Sequence, residues 1–479
     1  MSNVSCPIQP IKYRKKWFID AIALARGFWY NVAMSLKWLI YNALFAVVYV
    51  AMTPAFLLRM ARRGGYKNRF YDRFGKYPEG LFASDGKGDF VWIHAVSVGE
   101  VSVAGRLMRE LRAKCPGIRF AFSTTSSTGW KVAGKEIAEG DVLFYNPLDF
   151  PRCVKRAFDA VRPRAVILTE SEIWPNFLRE AKRRGLPLFL ANARVSDRSA
   201  PRYVKLKWFF GEVFALFDRV FAQSDLDASR LVAAGARKDA VEVTGSFKFD
   251  VAARNESKER ELSDWILSAL RTANPGVDSL PPILLGGSTW PGEDAVLLDV
   301  YRAVLERHAE VLLVIAPRHF EKADAVEANI REAGFGCVRR SRGDKSADGQ
   351  FCVFLADTTG ELMGLFGISS VVFIGKSLCE HGSQNMIEPC ACGKPTLVGP
   401  NTENFRPVMS DLLSADAILQ VPDAATLKRE ILRLFDDPAA HGELGKRASS
   451  AVERRLGVVS KCTDEILGVL SQVQKQKTA

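Results

Sequence analysis

The 479 residues exceed what one hydrophobic core organises, so two domains with additional segments are expected. A content of 48% hydrophobic and 25% charged residues is ordinary for a globular protein, and nine scattered cysteines without paired spacing exclude a disulfide framework. The net charge of +12 does not point to nucleic acid, because residues 1–80 hold 13 Lys/Arg against 3 acids and so carry +10 of it.

The first element is 38–58, 21 residues without Lys, Arg, His, Asp or Glu. It is long enough to cross a hydrocarbon layer of about 30 Å as a helix. Trp38, Tyr41 and Tyr49 are interfacial aromatics, and Pro54 is expected to kink its end. Three placements fit: a spanning helix, a helix lying in the interface with flanking Lys/Arg on anionic lipid heads, or a helix of the globular core. A cleaved signal peptide does not fit, since the run starts late and no A-x-A site follows. Residues 1–80 therefore read as extension, anchor helix (38–58) and basic connector.

Apolar runs at 90–93, 119–123, 165–169, 188–191, 220–222 and 241–244 alternate with helical patterns such as 101–114 and 175–184. This is the βαβ rhythm of a parallel, doubly wound sheet, giving a Rossmann-like domain at 81–252. The polar stretch 253–282 reads as a linker with one helix. Alternation restarts at 283–286, 311–316, 353–356, 371–374 and 396–398, giving a second Rossmann-like domain at 283–438. Segment 339–350 reads as a mobile polar loop, and 439–473 as one amphipathic helix within a closing region 439–479. The expected fold class is α/β, two Rossmann-like domains facing across a cleft behind an N-terminal membrane-anchor helix. No G-x-G-x-x-G follows any strand, which argues against a dinucleotide. Cys390 and Cys392 form the one close pair without accompanying histidines, so the cysteines read as reduced thiols.

Polar groups recur at strand ends, where open α/β sheets bind ligands. After 90–93 the turn presents Ser97, Gly99 and Glu100. Glu100 falls in a helix's first turn, either as a simple N-terminal charge or as an ionised base. Ser123 to Gly129 reads equally as an anion site or an N-cap cluster. Glu170 and Glu172 follow 165–169, one expected to face the cleft and one to cap or pair locally. Asn192 and Arg194 follow the next strand, and Lys248 follows 241–244, placed to meet a phosphate. In the second half, Ser288 and Thr289 precede a helix as a phosphate-holding turn. Pro317 and Arg318 follow the strongest strand, and an arginine suits a phosphodiester. Asn385 and Glu388 share a face at a helix start, and Glu388 is either a ribose acceptor or a capping carboxylate. No His cluster points to a metal.

The motifs HAVSVGE, ExExWPN, NAR, GSxKFD, GST, PRH, DTxGEL, NxxEP and NF occur in this order between about 59 and 440. Together they resemble the 3-deoxy-D-manno-octulosonate (Kdo) transferases of outer-membrane lipopolysaccharide synthesis. The resemblance implies the two-Rossmann GT-B glycosyltransferase fold. It also implies inverting transfer of Kdo from CMP-Kdo to the lipid A precursor, lipid IVA. Position by position, it makes Glu100 the proton acceptor and Glu170 and Lys248 stabilisers of the transition state. Pro317, Arg318, Thr359, Gly360, Glu361, Asn385, Met386, Ile387 and Glu388 fall on CMP-binding segments. Ser97, Gly99, Ser288 and Thr289 are expected phosphate or sugar contacts. No cofactor and no metal are expected, CMP-Kdo being the donor substrate. The implied partners are the lipid A precursor and an anionic inner-membrane surface, with the catalytic domains on the cytoplasmic side and no nucleic acid. The chain departs from the family pattern at Lys376, at Ser383 and Gln384, and at Trp290. Two other readings stay open: a UDP-dependent GT-B transferase or epimerase, and a binding or scaffold protein on a retired transferase fold.

Overall fold

The computed structural model describes residues 36–55, 58, 69–82, 89–251, 256–273, 275–343 and 352–478. The extension at 1–35, the connector at 59–68 and the 344–350 part of the expected polar loop lie outside the described residues.

The first sheet comprises β1 (Phe90–His94), β2 (Arg119–Thr124), β3 (Val142–Tyr145), β4 (Pro163–Thr169), β5 (Leu188–Ala193), β6 (Arg219–Ala222) and β7 (Val241–Val243). Its order is β3-β2-β1-β4-β5-β6-β7, all parallel. Alternate side chains of β1 serve opposite faces. Phe90 and Trp92 pack with Phe144 and Phe158 on one face, Val91 and Ile93 with Phe120 and Phe122 on the other. The second sheet comprises β8 (Ile283–Thr289), β9 (Leu312–Pro317), β10 (Gly336–Arg339), β11 (Cys352–Leu355), β12 (Val371–Ile374), β13 (Thr396–Val398) and β14 (Leu419–Gln420). Its order is β10-β11-β9-β8-β12-β13-β14, again parallel. The order reverses between β1 and β4 and between β8 and β12, and these switch points fix where the loops open a crevice.

Three edge strands, β3, β10 and β14, fall outside the apolar runs expected from the sequence, although β3 is itself apolar, Val142-Leu143-Phe144-Tyr145. Each pairs on one side only, so partial burial suffices. At the start of the expected polar loop, Arg339 ends β10 and Arg340–Arg342 forms a 3₁₀ turn, both ordered by carboxylates.

The single closing helix expected at 439–473 is two helices, Pro438–Glu453 and Val458–Thr478. They are separated by the turn 454–457, whose last residue, Gly457, takes φ +82 directly before the second helix. Ala448 and Val452 of the first pack in the second half, whereas Val459, Cys462 and Ile466 of the second return to the first sheet. Asp250 accepts the backbone N–H of Gly457 at 2.7 Å and of Val459 at 2.6 Å, fastening the returning helix.

Helix Leu36–Ala55 is long and apolar enough to cross a membrane, and only 6% of its most apolar window is buried. That rules out the core-helix placement. One face is nevertheless docked. Trp38 is buried against Phe209 and under Arg179, Tyr41 donates to Asp149 at 2.7 Å, and Asn42 accepts from Asn176 at 2.7 Å. Lys37 pairs with Glu212. The opposite face exposes Leu39, Leu44, Val47 and Val50.

Replacing Asp250 with Ala removes the acceptor of two N–H groups at a largely buried site. Urea unfolding should show a loss of about 2–3 kcal/mol, with amide exchange accelerated first in 458–470.

Candidate functional site

At the first switch point β1 runs into Ala95-Val96-Ser97 and helix Val98–Lys114. Ser97 caps that helix. Its Oγ accepts the Glu100 N–H at 3.2 Å and donates to Glu100 Oε1 at 2.9 Å, while the Val96 N–H donates to Oε2 at 2.9 Å. Glu100 is therefore both the capping carboxylate and a half-buried acid with lone pairs to spare. Burial pushes its carboxyl above the ordinary range and Glu170 adds to the push, while Val96 N–H, Ser97 and Arg194 pull it back. Ser97 and Gly99 are exposed beside it.

Glu170 follows β4 in a left-handed conformation, φ +54, with its side chain buried. Arg194 Nε lies 2.7 Å from one carboxylate oxygen and Asn192 Nδ2 donates to the other at 3.4 Å. Asn192 Oδ1 accepts the Phe247 N–H at 3.0 Å, tying the end of β5 to the segment that carries Lys248. Burial lowers the Lys248 ammonium and Glu170 opposes this. Lys248 Nζ sits 4.3 Å from the centre of the Phe405 ring, which belongs to the second half. Arg406 pairs with Asp197 beside it, so the cleft is bridged by a cation–π contact and an ion pair. Glu172, two residues on, is pushed up to about 7 by burial and by Glu100.

At the second switch point, Glu293 is fully buried in the first turn of helix Glu293–Leu305. It accepts the backbone N–H of Trp290 and Lys376, each at 2.8 Å, and of Ser377 and Leu378, each at 3.1 Å. One carboxylate thus stitches the loops after β8 and β12. Sequence reasoning missed it; an acid two residues after Pro291 at a helix start was the available signal. Gly375 admits no side chain, since a Cβ would lie 2.4 Å from Ser288 O. Lys376 Nζ rests 4.7 Å over the Trp290 ring.

The remaining expected contacts divide into two groups. Arg318 is exposed at the end of β9, its N–H on Thr289 O at 3.0 Å. Ser288, at φ +55, Pro317, Thr359 and Gly360 border the same edge, and Asn385 donates to Glu388 at 3.0 Å. Burial raises the Glu388 carboxyl and Asn385 opposes it. The Met386, Ile387 and Thr289 side chains instead point into the protein, the first two into the second core, so they offer a ligand backbone groups only. Glu361 is buried in pairs with Arg340, at 3.0 Å, and Thr358, and supports its loop from behind. Ser126, from the Ser123–Gly129 cluster, proves an N-cap that also donates to Val96 O at 2.9 Å. Of eight non-glycine residues with positive φ among those described, five line these two edges: Glu170, Asn192, Ser288, Lys376 and Ser383. Such strain persists where surrounding contacts over-determine the backbone, as at ligand sites. Among the described residues no group of three or more His, Cys, Asp or Glu is placed to hold a metal ion.

Residues 68–251 match the family model described as 3-deoxy-D-manno-octulosonic-acid transferase (kdotransferase). The chain is 31% identical over 407 residues to the 3-deoxy-D-manno-octulosonic acid transferase of Haemophilus influenzae, covering 83% of this chain and 91% of that one. It is 33% identical over 418 residues to the enzyme of the same name from Bordetella pertussis, covering 85% and 94%. Among solved structures, a glycosyltransferase from Rickettsia africae aligns with a TM-score of 0.51 at 14% identity, covering 81% of this chain and 99% of that one. That likeness, like the TM-score of 0.50 to the UDP-GlcNAc 2-epimerase of Neisseria meningitidis at 13% identity (78% and 100% covered), establishes the shared fold alone.

Glu293→Ala removes a buried carboxylate that accepts four N–H groups, one buried and three part-buried, and should cost about 3 kcal/mol in urea unfolding. Glu293→Gln keeps one acceptor oxygen and should cost distinctly less.

Proposed function

The chain belongs to the 3-deoxy-D-manno-octulosonic acid transferase family, and we propose that it carries Kdo from CMP-Kdo to lipid IVA with inversion, using Glu100 as base. The observation that carries this reading is that Glu170, buried just past β4 and paired with Arg194, acts on the charge of both Glu100, just past β1, and Lys248, so that the three residues meet beside one switch point.

The acceptor hydroxyl gives its proton to the Glu100 carboxylate as its oxygen bonds to the anomeric carbon. The bond from that carbon to the phosphate oxygen breaks, and CMP leaves with the electron pair. Negative charge grows on the phosphate, and Lys248 and Arg318 are the cations assigned to it, without a metal. Lys248 suits the task because burial strips water from its ammonium. Glu170, matched by Arg194, places negative charge near the cationic sugar centre without leaving an unpaired charge. The edge bordered by Arg318, Thr359, Gly360, Asn385 and Glu388 receives the nucleotide.

A lipid acceptor requires work at a bilayer, and the first half has the surface for it. Helix Leu36–Ala55 is docked by one face, and the other is apolar. Val204, Leu206 and Trp208 are exposed among Lys205 and Lys207, close to Phe209, which packs on that helix. This supports a helix lying in the interface of the inner membrane on its cytoplasmic side, with Lys/Arg on anionic lipid heads, in preference to a spanning one.

Mass spectrometry of lipid IVA incubated with freshly generated CMP-Kdo should show added Kdo. Glu100→Gln should lower kcat by about 10²–10⁴-fold with CMP binding unchanged. Because the base acts ionised, kcat/KM should rise with pH through a midpoint above the usual carboxylate range. Transfer that persists in Glu100→Gln removes Glu100 as base.

A further inference from the structure

Behind Glu100 lies a buried polar group that the reaction as described does not use. His94, the last residue of β1, is wholly buried. Its Nδ1 faces Ser123 O at 3.0 Å and Ser123 Oγ at 2.9 Å. Ser123 Oγ accepts from Trp92 Nε1 at 2.8 Å and spends its one proton on Asn146 Oδ1 at 3.1 Å. Both groups facing Nδ1 are therefore acceptors, so Nδ1 carries the imidazole proton and Nε2 is a bare lone pair. Burial lowers the ring to about 4, keeping it neutral. Nε2 has no hydrogen-bond partner in the structure, and the Glu172 carboxylate lies 3.9 Å away. A bare buried acceptor calls for a donor. Trp174 Nε1 is committed to Glu172 at 2.9 Å, so the group able to bring a proton to Nε2 is Glu172 itself. A shortening of about 1 Å makes the hydrogen bond.

We propose that Glu172 is a positioning residue: it keeps a proton turned to His94 Nε2, so that Glu100 alone of the two carries charge when the acceptor hydroxyl is deprotonated. This rests on the reading of Glu100 as base. The groups around Glu172 agree. Glu100 faces it from helix Val98–Lys114, Glu170 from its own loop, His94 from β1, and Tyr203 from helix Ala200–Lys205. No cation is among them, and Arg194 is spent on Glu170. The Glu100 charge is stabilised by the Val96 N–H, Ser97 and Arg194, whereas Glu172 has the Trp174 N–H and feels Glu100 against it, so of the two the proton lies on Glu172. The donor adds a carboxylate and a phosphate, so a neutral Glu172 also spares it a repulsion. Once Glu172 ionises, at about pH 7, that repulsion returns.

Two measurements test this on the full-length protein. The first needs no substrate. In an infrared titration, two neutral carboxyl components should fade near pH 7, one from Asp149, which burial also raises to about 7, and one from Glu172; the second should be absent in Glu172→Gln and fade at lower pH in Glu100→Gln, each read as a difference from wild type. In the second, the wild-type KM for CMP-Kdo should rise above pH 7, by up to about tenfold per unit, with kcat little changed. Glu172→Gln, an isostere of the protonated acid, should remove that rise and match wild type at pH 6. A Glu172 that merely packs against Trp174 gives neither result, and a spectrum unaffected by Glu172→Gln, or a Glu172 component unmoved by Glu100→Gln, overturns the proposal. If the wild type transfers no Kdo, the functional reading fails, while the infrared arm still decides the protonation of Glu172.

Discussion

A parallel strand covered on both faces has no side on which a polar group can meet water, and that constraint governs this molecule. β1, β4, β8 and β12 are buried along their lengths by two layers of helix packing. Groups that must bind or react are left the residues just past the strands. The switch points concentrate them further, because only there do neighbouring loops diverge to opposite faces. Glu100 and Glu170 follow β1 and β4, the reversing pair of the first sheet. Lys376 and the Glu293 stitch follow β12 and β8, the reversing pair of the second.

The interior strands were legible because they are uninterrupted apolar runs, and so were the residues at their ends. What escaped reading depends on contacts between distant positions. Nothing in the segment 38–58 announces that Tyr41 and Asn42 bind Asp149 and Asn176, so an apolar run that fitted a membrane or a core by composition proves to have one docked face and one exposed face. Glu293 looks like any first-turn acid, and its four N–H partners come from two loops, one of them 83 to 85 residues away in sequence. Met386 and Ile387 sit in a motif that reads as ligand contact, yet their side chains are core. The closing helix was misjudged because 439–473 stays amphipathic through Gly457, whose positive φ redirects the chain to the other sheet.

The departures from the family pattern are neighbours in space. Lys376 occupies, at φ +59, a turn that favours glycine, and its ammonium rests on Trp290, itself a departure. Gly382 lies within reach of Lys376 Nζ and of Asn404, next to the Phe405 that Lys248 covers. These changes form one local repacking around the β12 turn, and they leave the Glu100 side of the cleft untouched.

The return of helix Val458–Thr478 to the first sheet has a mechanical meaning. Phe249 already packs in the second core, and the chain returns to the first sheet at Val458, where Asp250 clamps the returning segment beside the outgoing one. Two neighbouring tethers remove most relative freedoms of a pair of rigid bodies. Any relative movement of the lobes is then centred on these tethers, and the Lys248–Phe405 and Asp197–Arg406 contacts are the bridges that it must release.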